Sequence, residues 1–219
     1  MTPIGVALGG GRSRRLGADK ALLTLPGAPL PDPEDPAPTL LQWAAERLAA
    51  ACKDVLVADR GRGLLGGYPS VADGEGGGPA AGILGAADAR PGRPLLVLAC
   101  DLPNIPADLL AHLADGPEAD WYLPRTDKGM EPLVALYRPA ALERLRARVC
   151  AGRFDLVGLA ADPEIDAVFL EGPRLQAFGD PETLLLNVNR PADLGRLRGR
   201  FDALRQARAQ LLRPRSTKR

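Results

Sequence analysis

Short unbroken apolar runs punctuate this chain, and between them apolar residues return every third or fourth position. The runs are Ile4 to Leu8, Val55-Leu56-Val57, Leu95 to Cys100, Trp121-Tyr122-Leu123, Leu133 to Tyr137, Val168-Phe169-Leu170 and Leu184-Leu185-Leu186. Each predicts a strand, and Val71-Ala72-Asp73 reads as the end of one more. Runs without alternation, Leu95 to Cys100 above all, predict strands covered on both faces, as in parallel sheets. Helical spacing fills the gaps. Leu40, Leu41, Ala44, Leu48 and Cys52 follow Thr39, a plausible N-cap. Ala80 to Ala89 reads as a small-residue helix, and Pro106 opens another that runs through Leu113. Ala140 to Val149 reads as a fourth, with Leu142 and Leu145 inward. Strands alternating with helices predict an α/β fold: one doubly wound, mostly parallel sheet with helices on both faces. Leu194, Leu197, Phe201, Leu204 and Leu211 recur at three- and four-residue steps. The expected division is therefore a domain over 1–195 and a C-terminal amphipathic helix with a basic tail over 196–219.

Composition narrows the function classes. Apolar residues make up 46% of 219, enough to fill a single large core. A formal net charge of +1 gives no reason to expect nucleic acid as a partner. Cys52, Cys100 and Cys150 are far apart, with no C-x-x-C, which predicts reduced thiols and a cytoplasmic setting. The N-terminus lacks the features of a signal peptide, and no apolar run approaches the ~20 residues that span a bilayer, so no membrane association is expected. His112, the only histidine, leaves imidazole triads without a basis and reads as a helix-surface residue.

The chemistry concentrates where the first apolar run breaks. Gly9-Gly10-Gly11 is followed by Arg12, Arg14, Arg15 and Lys20, with Asp19 the one acid among them. Glycines let a ligand approach the backbone, and successive N–H groups in such a turn form a concavity suited to anions. This predicts a polyphosphate cradle at the end of strand one. A P-loop would need Gly-x-x-x-x-Gly-Lys-Ser/Thr, and a dinucleotide fingerprint Gly-x-Gly-x-x-Gly/Ala; neither occurs here. Asp101 follows the most apolar run directly. A carboxylate there suits magnesium, which takes one or two protein carboxylates and fills its shell with phosphate and water; it equally suits a cap on the turn before Pro103. Doubly wound sheets bind ligands beyond the carboxyl ends of their strands. That rule, and not sequence distance, predicts that the Gly9 loop, Asp73 and Asp101 share one edge. Residues 26–38, with six prolines and three acids, read as an irregular surface loop.

The thirteen residues from Leu8 to Lys20, LGGGRSRRLGADK, resemble the signature loop of nucleotidyltransferases that attach a nucleoside monophosphate to a phosphorylated acceptor. The match is best to the molybdenum cofactor guanylyltransferases, whose loop runs Leu-Ala-Gly-Gly-x-Ser-x-Arg-Met-Gly-x-Asp-Lys. Gly9 departs from that pattern, as does the long proline loop. Further matches are Asp101-Leu102-Pro103 to the family's magnesium segment, and Asp73 with Gly78-Pro79-Ala80-Ala81-Gly82 to its nucleotide turn. Glu131 to Tyr137 and Asn187-Val188-Asn189 match segments on its acceptor side. Asp59-Arg60 stands where the family has Asn-Arg, and Arg190 where it has threonine.

The resemblance, over about residues 4–195, implies a Rossmann-like nucleotidyltransferase fold and magnesium-dependent transfer of GMP from GTP to molybdopterin or its molybdenum form, releasing pyrophosphate. It implies nucleotide contacts from Leu8, Gly9, Gly10, Gly11, Arg12, Lys20, Asp59, Asp73 and Asp101. Lys20, Arg15 and Asp101 would serve catalysis, Asp101 would hold the metal, and Glu131, Asn187 and Asn189 would meet the acceptor. Asn187 and Asn189, at alternate positions of an extended stretch, point the same way. Transient contacts with molybdoenzymes or cofactor-delivery proteins would follow from the product. Two other readings stay open: a transferase using CTP or another acceptor, and a nucleotide-binding protein without catalysis.

Overall fold

The computed structural model describes residues 1–9, 19–25 and 37–189, together with Asp193, Gly195 and Leu197. Within these, eight strands form one sheet. The first four are β1 (Ile4–Leu8), β2 (Val55–Ala58), β3 (Ser70–Val71) and β4 (Leu95–Ala99). The others are β5 (Trp121–Thr126), β6 (Gly129–Met130), β7 (Val134–Tyr137) and β8 (Ala167–Leu170). Their order is β3-β2-β1-β4-β7-β5-β6, with β8 also paired to β5. The first four run parallel, and β7 is inserted antiparallel between β4 and β5.

The helices α1 (Leu40–Ala49), α2 (Gly78–Ala89), α3 (Ala107–Ala114) and α4 (Pro139–Cys150) cover the sheet, with shorter α5 (Gly172–Gln176) and α6 (Pro181–Leu184) near the end. Thr39 caps α1 as expected: its hydroxyl accepts from the Gln42 N–H at 3.1 Å. α1 packs with α3, and α2 packs with α4. The parity of β1 shows why these are opposite layers. A side chain at Gly5 would point at Leu48 and Cys52 of the α1 region, whereas Leu8, of opposite parity, touches Gly82 of α2. Covered on both sides, β1, β2, β4 and β7 are buried at every position.

Parallel register aligns the strand ends. Leu8 lies opposite both Ala58 and Ala99, and Ala58 lies opposite Val71. Gly9, Asp59, Ala72-Asp73 and Cys100-Asp101 therefore leave the sheet at one edge. Because β7 runs the other way, with Val134 opposite Leu98, the residues just before it, Glu131 to Leu133, reach that same edge. The Ala99 N–H donates to the Leu133 carbonyl at 2.9 Å.

One expectation is corrected. Leu184-Leu185-Leu186 is not a strand: Leu184 ends helix α6. The Asp180 carboxylate caps the Thr183 N–H and Pro181 occupies the first turn, a helix start that overrides the apolar run. The expected C-terminal helix lies mostly outside the described residues; Asp193, Gly195 and Leu197 are helical, and Leu197 is buried. The proline loop also lies outside them, except that Leu25 donates its N–H to Pro38 at 2.8 Å and Thr24 bridges Thr39, which draws its two ends together. No described helix is long and apolar enough to cross a membrane.

The segment carrying Asp73 is held by close backbone packing on α2. Gly74 donates its N–H to the Ala81 carbonyl at 2.8 Å, and a Cβ on Gly85 would stand 2.0 Å from the Ala72 carbonyl oxygen. Backbone cannot swing aside as a side chain can. Gly85→Ala should therefore destabilise the protein by about 1–3 kcal/mol, which thermal unfolding would register as a Tm loss of roughly 2–4 °C per kcal/mol.

Candidate functional site

The turn that carries Lys20 is built locally. Asp19 caps a single 3-10 turn, Lys20–Leu22, by accepting the Ala21 N–H at 3.1 Å. Ala21 is buried, which anchors the turn and leaves the Lys20 side chain to cross the strand ends. Its ammonium donates to Asp101 Oδ2 at 3.1 Å and to Asn189 Oδ1 at 2.6 Å. These three residues are 81 and 169 positions apart in the chain, and the fold brings them together.

Asp101 is the hub of this contact. Its backbone carbonyl accepts the Val188 N–H at 2.8 Å, which fixes the extended 187–189 segment across the edge. Val188 is buried, so its neighbours Asn187 and Asn189 present their amides together on the opposite side. Pro103, two residues beyond Asp101, accepts from the indole N–H of Trp43 at 2.9 Å, which ties the turn to α1. The second carboxylate oxygen, Oδ1, is buried and has no hydrogen-bond partner among the described residues. A bare anionic oxygen beside a paired one is a suitable ligand for a hard cation. Among the described residues no cluster of three His, Cys, Asp or Glu could hold a metal unaided. That donor set fits magnesium, which takes few protein ligands and completes its shell from phosphate and water.

Next to this hub a cavity of about 590 Å³ opens between the β5–β6 hairpin and α5–α6. Glu131, Asn187 and Asn189 line it, together with Arg125, Lys128 and Gln176. All three expected acceptor residues thus face one cavity. Arg125 pairs with Glu171 at 2.6 Å, and Lys128 with Glu182 at 2.6 Å, on its outer wall. Burial pushes the Glu131 carboxyl above the ordinary carboxylate range. The Leu133 N–H opposes the shift, the charge of Asp101 adds to it, and the Asn187 amide opposes it again.

The nucleotide half is described in part. Leu8 and Gly9 end β1: the Cys100 N–H donates to the Leu8 carbonyl at 3.1 Å, and the Gly9 N–H to Ala58 at 3.0 Å. Gly10, Gly11, Arg12 and Arg15 lie outside the described residues. Asp73 is at the expected edge, exposed, and paired with Arg60 at 3.2 Å. Asp59 differs from expectation. It is fully buried, and its carboxylate accepts from the N–H groups of Arg62 (3.2 Å) and Leu64 (2.7 Å) and from the Ser70 hydroxyl. Its side chain organises the 60–70 loop and does not face the cleft.

A model of the MobA-like NTP transferase domain matches residues 5–159. The chain belongs to this family. A relative from Chloroflexus aggregans, named a probable molybdenum cofactor guanylyltransferase, is 36% identical over 203 residues, covering 89% of this chain and 92% of that one. The molybdenum cofactor guanylyltransferase of Cereibacter sphaeroides is 31% identical over 205 residues, 90% of this chain and 95% of its own. Among solved structures, the molybdopterin-guanine dinucleotide biosynthesis protein A of Archaeoglobus fulgidus superposes with a TM-score of 0.74 at 22% identity, covering 91% of this chain and 99% of that one.

As a MobA-like transferase domain, the chain departs from the signature at two places that its packing explains. Where the pattern has alanine, a Cβ on Gly9 would stand 2.9 Å from Leu41 Cδ1, so Leu41 of α1 fills that space. Where the pattern has asparagine, Asp59 meets only donors, and a carboxylate is an acceptor-only group.

Arg62 was not among the residues singled out from sequence, and its contacts join this half together. Its Nε donates to the Asp59 carbonyl at 2.7 Å, one Nη to the Gly9 carbonyl at 3.3 Å, and the other pairs with the Asp19 carboxylate. Only the flanking Gly61 and Gly63 hinted at the turn that makes this reach feasible.

The raised Glu131 pKa sets a sign. An acid whose folded pKa exceeds its unfolded value favours the folded state while protonated, and that advantage fades as pH rises through the folded pKa. Glu131→Gln should therefore raise Tm at pH 7, by up to ~4 °C. The gain should vanish as pH falls below the usual glutamate range near ~4.3; thermal melts across pH 4–8 would test it.

Proposed function

We propose that this protein transfers GMP from GTP onto molybdopterin, with or without its molybdenum, and releases pyrophosphate. The observation that carries the reading is the Lys20–Asp101–Asn189 contact. It sets an ammonium and a half-unpartnered carboxylate between the end of β1, where the signature loop starts, and the cavity lined by Asn187 and Glu131. Family membership and the names borne by relatives over nine-tenths of the chain support the guanylyl and molybdopterin identities.

In the proposed reaction a phosphate oxygen of the acceptor attacks the α-phosphorus of GTP. The new P–O bond forms as the bond to pyrophosphate breaks, and the leaving group carries off the charge. No residue of the chain becomes covalently modified, so the protein contributes position and electrostatics. Lys20 supplies a compact positive charge where phosphate charge collects. Asn187 and Asn189 offer paired amides to the acceptor, each with donors and an acceptor oxygen. Asp101 Oδ1 would hold magnesium, which when bound neutralises phosphate charge and orients the departing pyrophosphate.

A thermal-shift panel of GTP, CTP, ATP and UTP with magnesium tests base choice: stabilisation by GTP above the others is expected, and preference for CTP would move the protein to another branch of transferases. Lys20→Ala should lower kcat/KM by roughly 10²–10³ in a pyrophosphate-release assay with molybdopterin, and a loss under threefold would remove Lys20 from the reaction. Asp101→Asn should keep the fold and raise the magnesium concentration needed for half-maximal rate by about tenfold or more.

A further inference from the structure

Arg62 sits on a turn with an unusual backbone. Arg60, at φ 67°, is the one described residue other than glycine in the left-handed region, and Gly61 and Gly63 on either side of Arg62 are there too. Buried Asp59 fixes this turn from below by accepting the N–H groups of Arg62 and Leu64. The result folds the Arg62 side chain back over the end of β1. There it reaches Gly9, near the start of the signature loop, and Asp19, near its end.

Asp19 needs such a partner. Its carboxylate is the cap that orients the turn bearing Lys20, so it lies next to the charge meant for phosphate. It is also an anion at a place where a triphosphate is to bind. An uncompensated carboxylate there would repel the nucleotide, whereas a guanidinium bound to it cancels the charge and keeps the cap in position. Arg62 is suited to this because its planar fork holds the Asp59 carbonyl, the Gly9 carbonyl and Asp19 through three nitrogens in one fixed geometry, where an ammonium is a compact point charge on a flexible stem.

We infer that Arg62 is a positioning residue for the nucleotide: it holds Gly9 and Asp19 in fixed relation and neutralises Asp19, so that Asp19 adds no uncompensated negative charge where Lys20 meets the triphosphate. This rests on the nucleotidyl-transfer reading above.

The test is a double-mutant cycle read by titration calorimetry with magnesium and GTP, alongside steady-state kinetics. Arg62→Ala should weaken GTP binding by about tenfold and raise the KM for GTP, with the KM for molybdopterin unchanged. Asp19→Asn keeps an oxygen for the Ala21 cap and removes the charge. In the Arg62→Ala background it should restore binding to within about threefold of the Asp19→Asn protein. A merely structural arginine would give no such relief, since a second substitution would only loosen the turn further. Arg62→Lys, which keeps a charge but not the fork, should fall between wild type and Arg62→Ala, and it serves if the alanine variant does not fold. Wild-type GTP binding with an unchanged Arg62→Ala protein, or a double variant no better than Arg62→Ala, overturns the inference alone. A wild-type protein that binds no GTP overturns the underlying reading as well.

Discussion

Asp101 carries three different obligations at one residue, and the arrangement of the cleft depends on meeting all of them. Its carbonyl takes the Val188 N–H, one carboxylate oxygen takes the Lys20 ammonium, and the other is buried with no partner among the described residues. A buried polar atom without a partner costs about 1–3 kcal/mol. The Lys20 pair offsets little of that by itself, because both side chains are about four-fifths buried and taking two charges out of water consumes much of their attraction. The arrangement is therefore poor as a device for stability and well suited to one that waits for a cation. It also explains the route of the chain: residues 187–189 must cross the strand ends at this point for the backbone of Asp101 to be satisfied, and in crossing they deliver two amides to the cleft.

The parallel half of this geometry was legible in the residues. Uninterrupted apolar runs implied strands covered on both faces, parallel strands must end together, and the glycine loop, Asp73 and Asp101 were accordingly expected at one edge. Leu8 opposite both Ala58 and Ala99 realises that expectation. Strand direction was not legible at β7. Nothing in Leu133 to Tyr137 states which way the strand runs, and only its antiparallel insertion brings Glu131 to the cavity lined by Asn187 and Asn189. The helix at Pro181–Leu184 was misread for a related reason: three leucines in a row suit either state, and the deciding signal was Asp180-Pro181 ahead of them. Arg62 lay beyond sequence reasoning altogether, since its contacts depend on three left-handed positions, Arg60, Gly61 and Gly63, folding it back across the end of β1.

Departures from the family pattern also make sense once their neighbours are known. Gly9 and Leu41 share one volume, so removing a methyl from strand one leaves room for a leucine on α1. Asp59 and the 60–70 loop share one set of hydrogen bonds, all of them donated to the carboxylate. From the resemblance alone, Asp59 was an expected nucleotide contact standing where the family has asparagine. Surrounded by donors and fully buried, it is better described as the foundation of the turn that carries Arg60 and Arg62. The same two arginines then meet Asp73 and Asp19, so one buried acid arranges the cations that balance two acids nearer the cleft.

That balance separates the two halves of the cleft physically. On the side proposed for the nucleotide, Asp19 and Asp73 are each met by an arginine, which leaves Lys20 and Asp101 Oδ1 as charges, among the described residues, turned toward the cleft. On the side proposed for the acceptor, burial raises the pKa of Glu131, with the Asp101 charge adding to the shift, and the amides of Asn187 and Asn189 offer polarity without charge. Neutral amides can exchange hydrogen bonds with an acceptor without adding charge to a cleft that is also to hold an anionic nucleotide. The antiparallel turn before β7 is what puts Glu131 beside Asp101. The direction of one strand therefore decides whether Glu131 joins the cavity that Asn187 and Asn189 line.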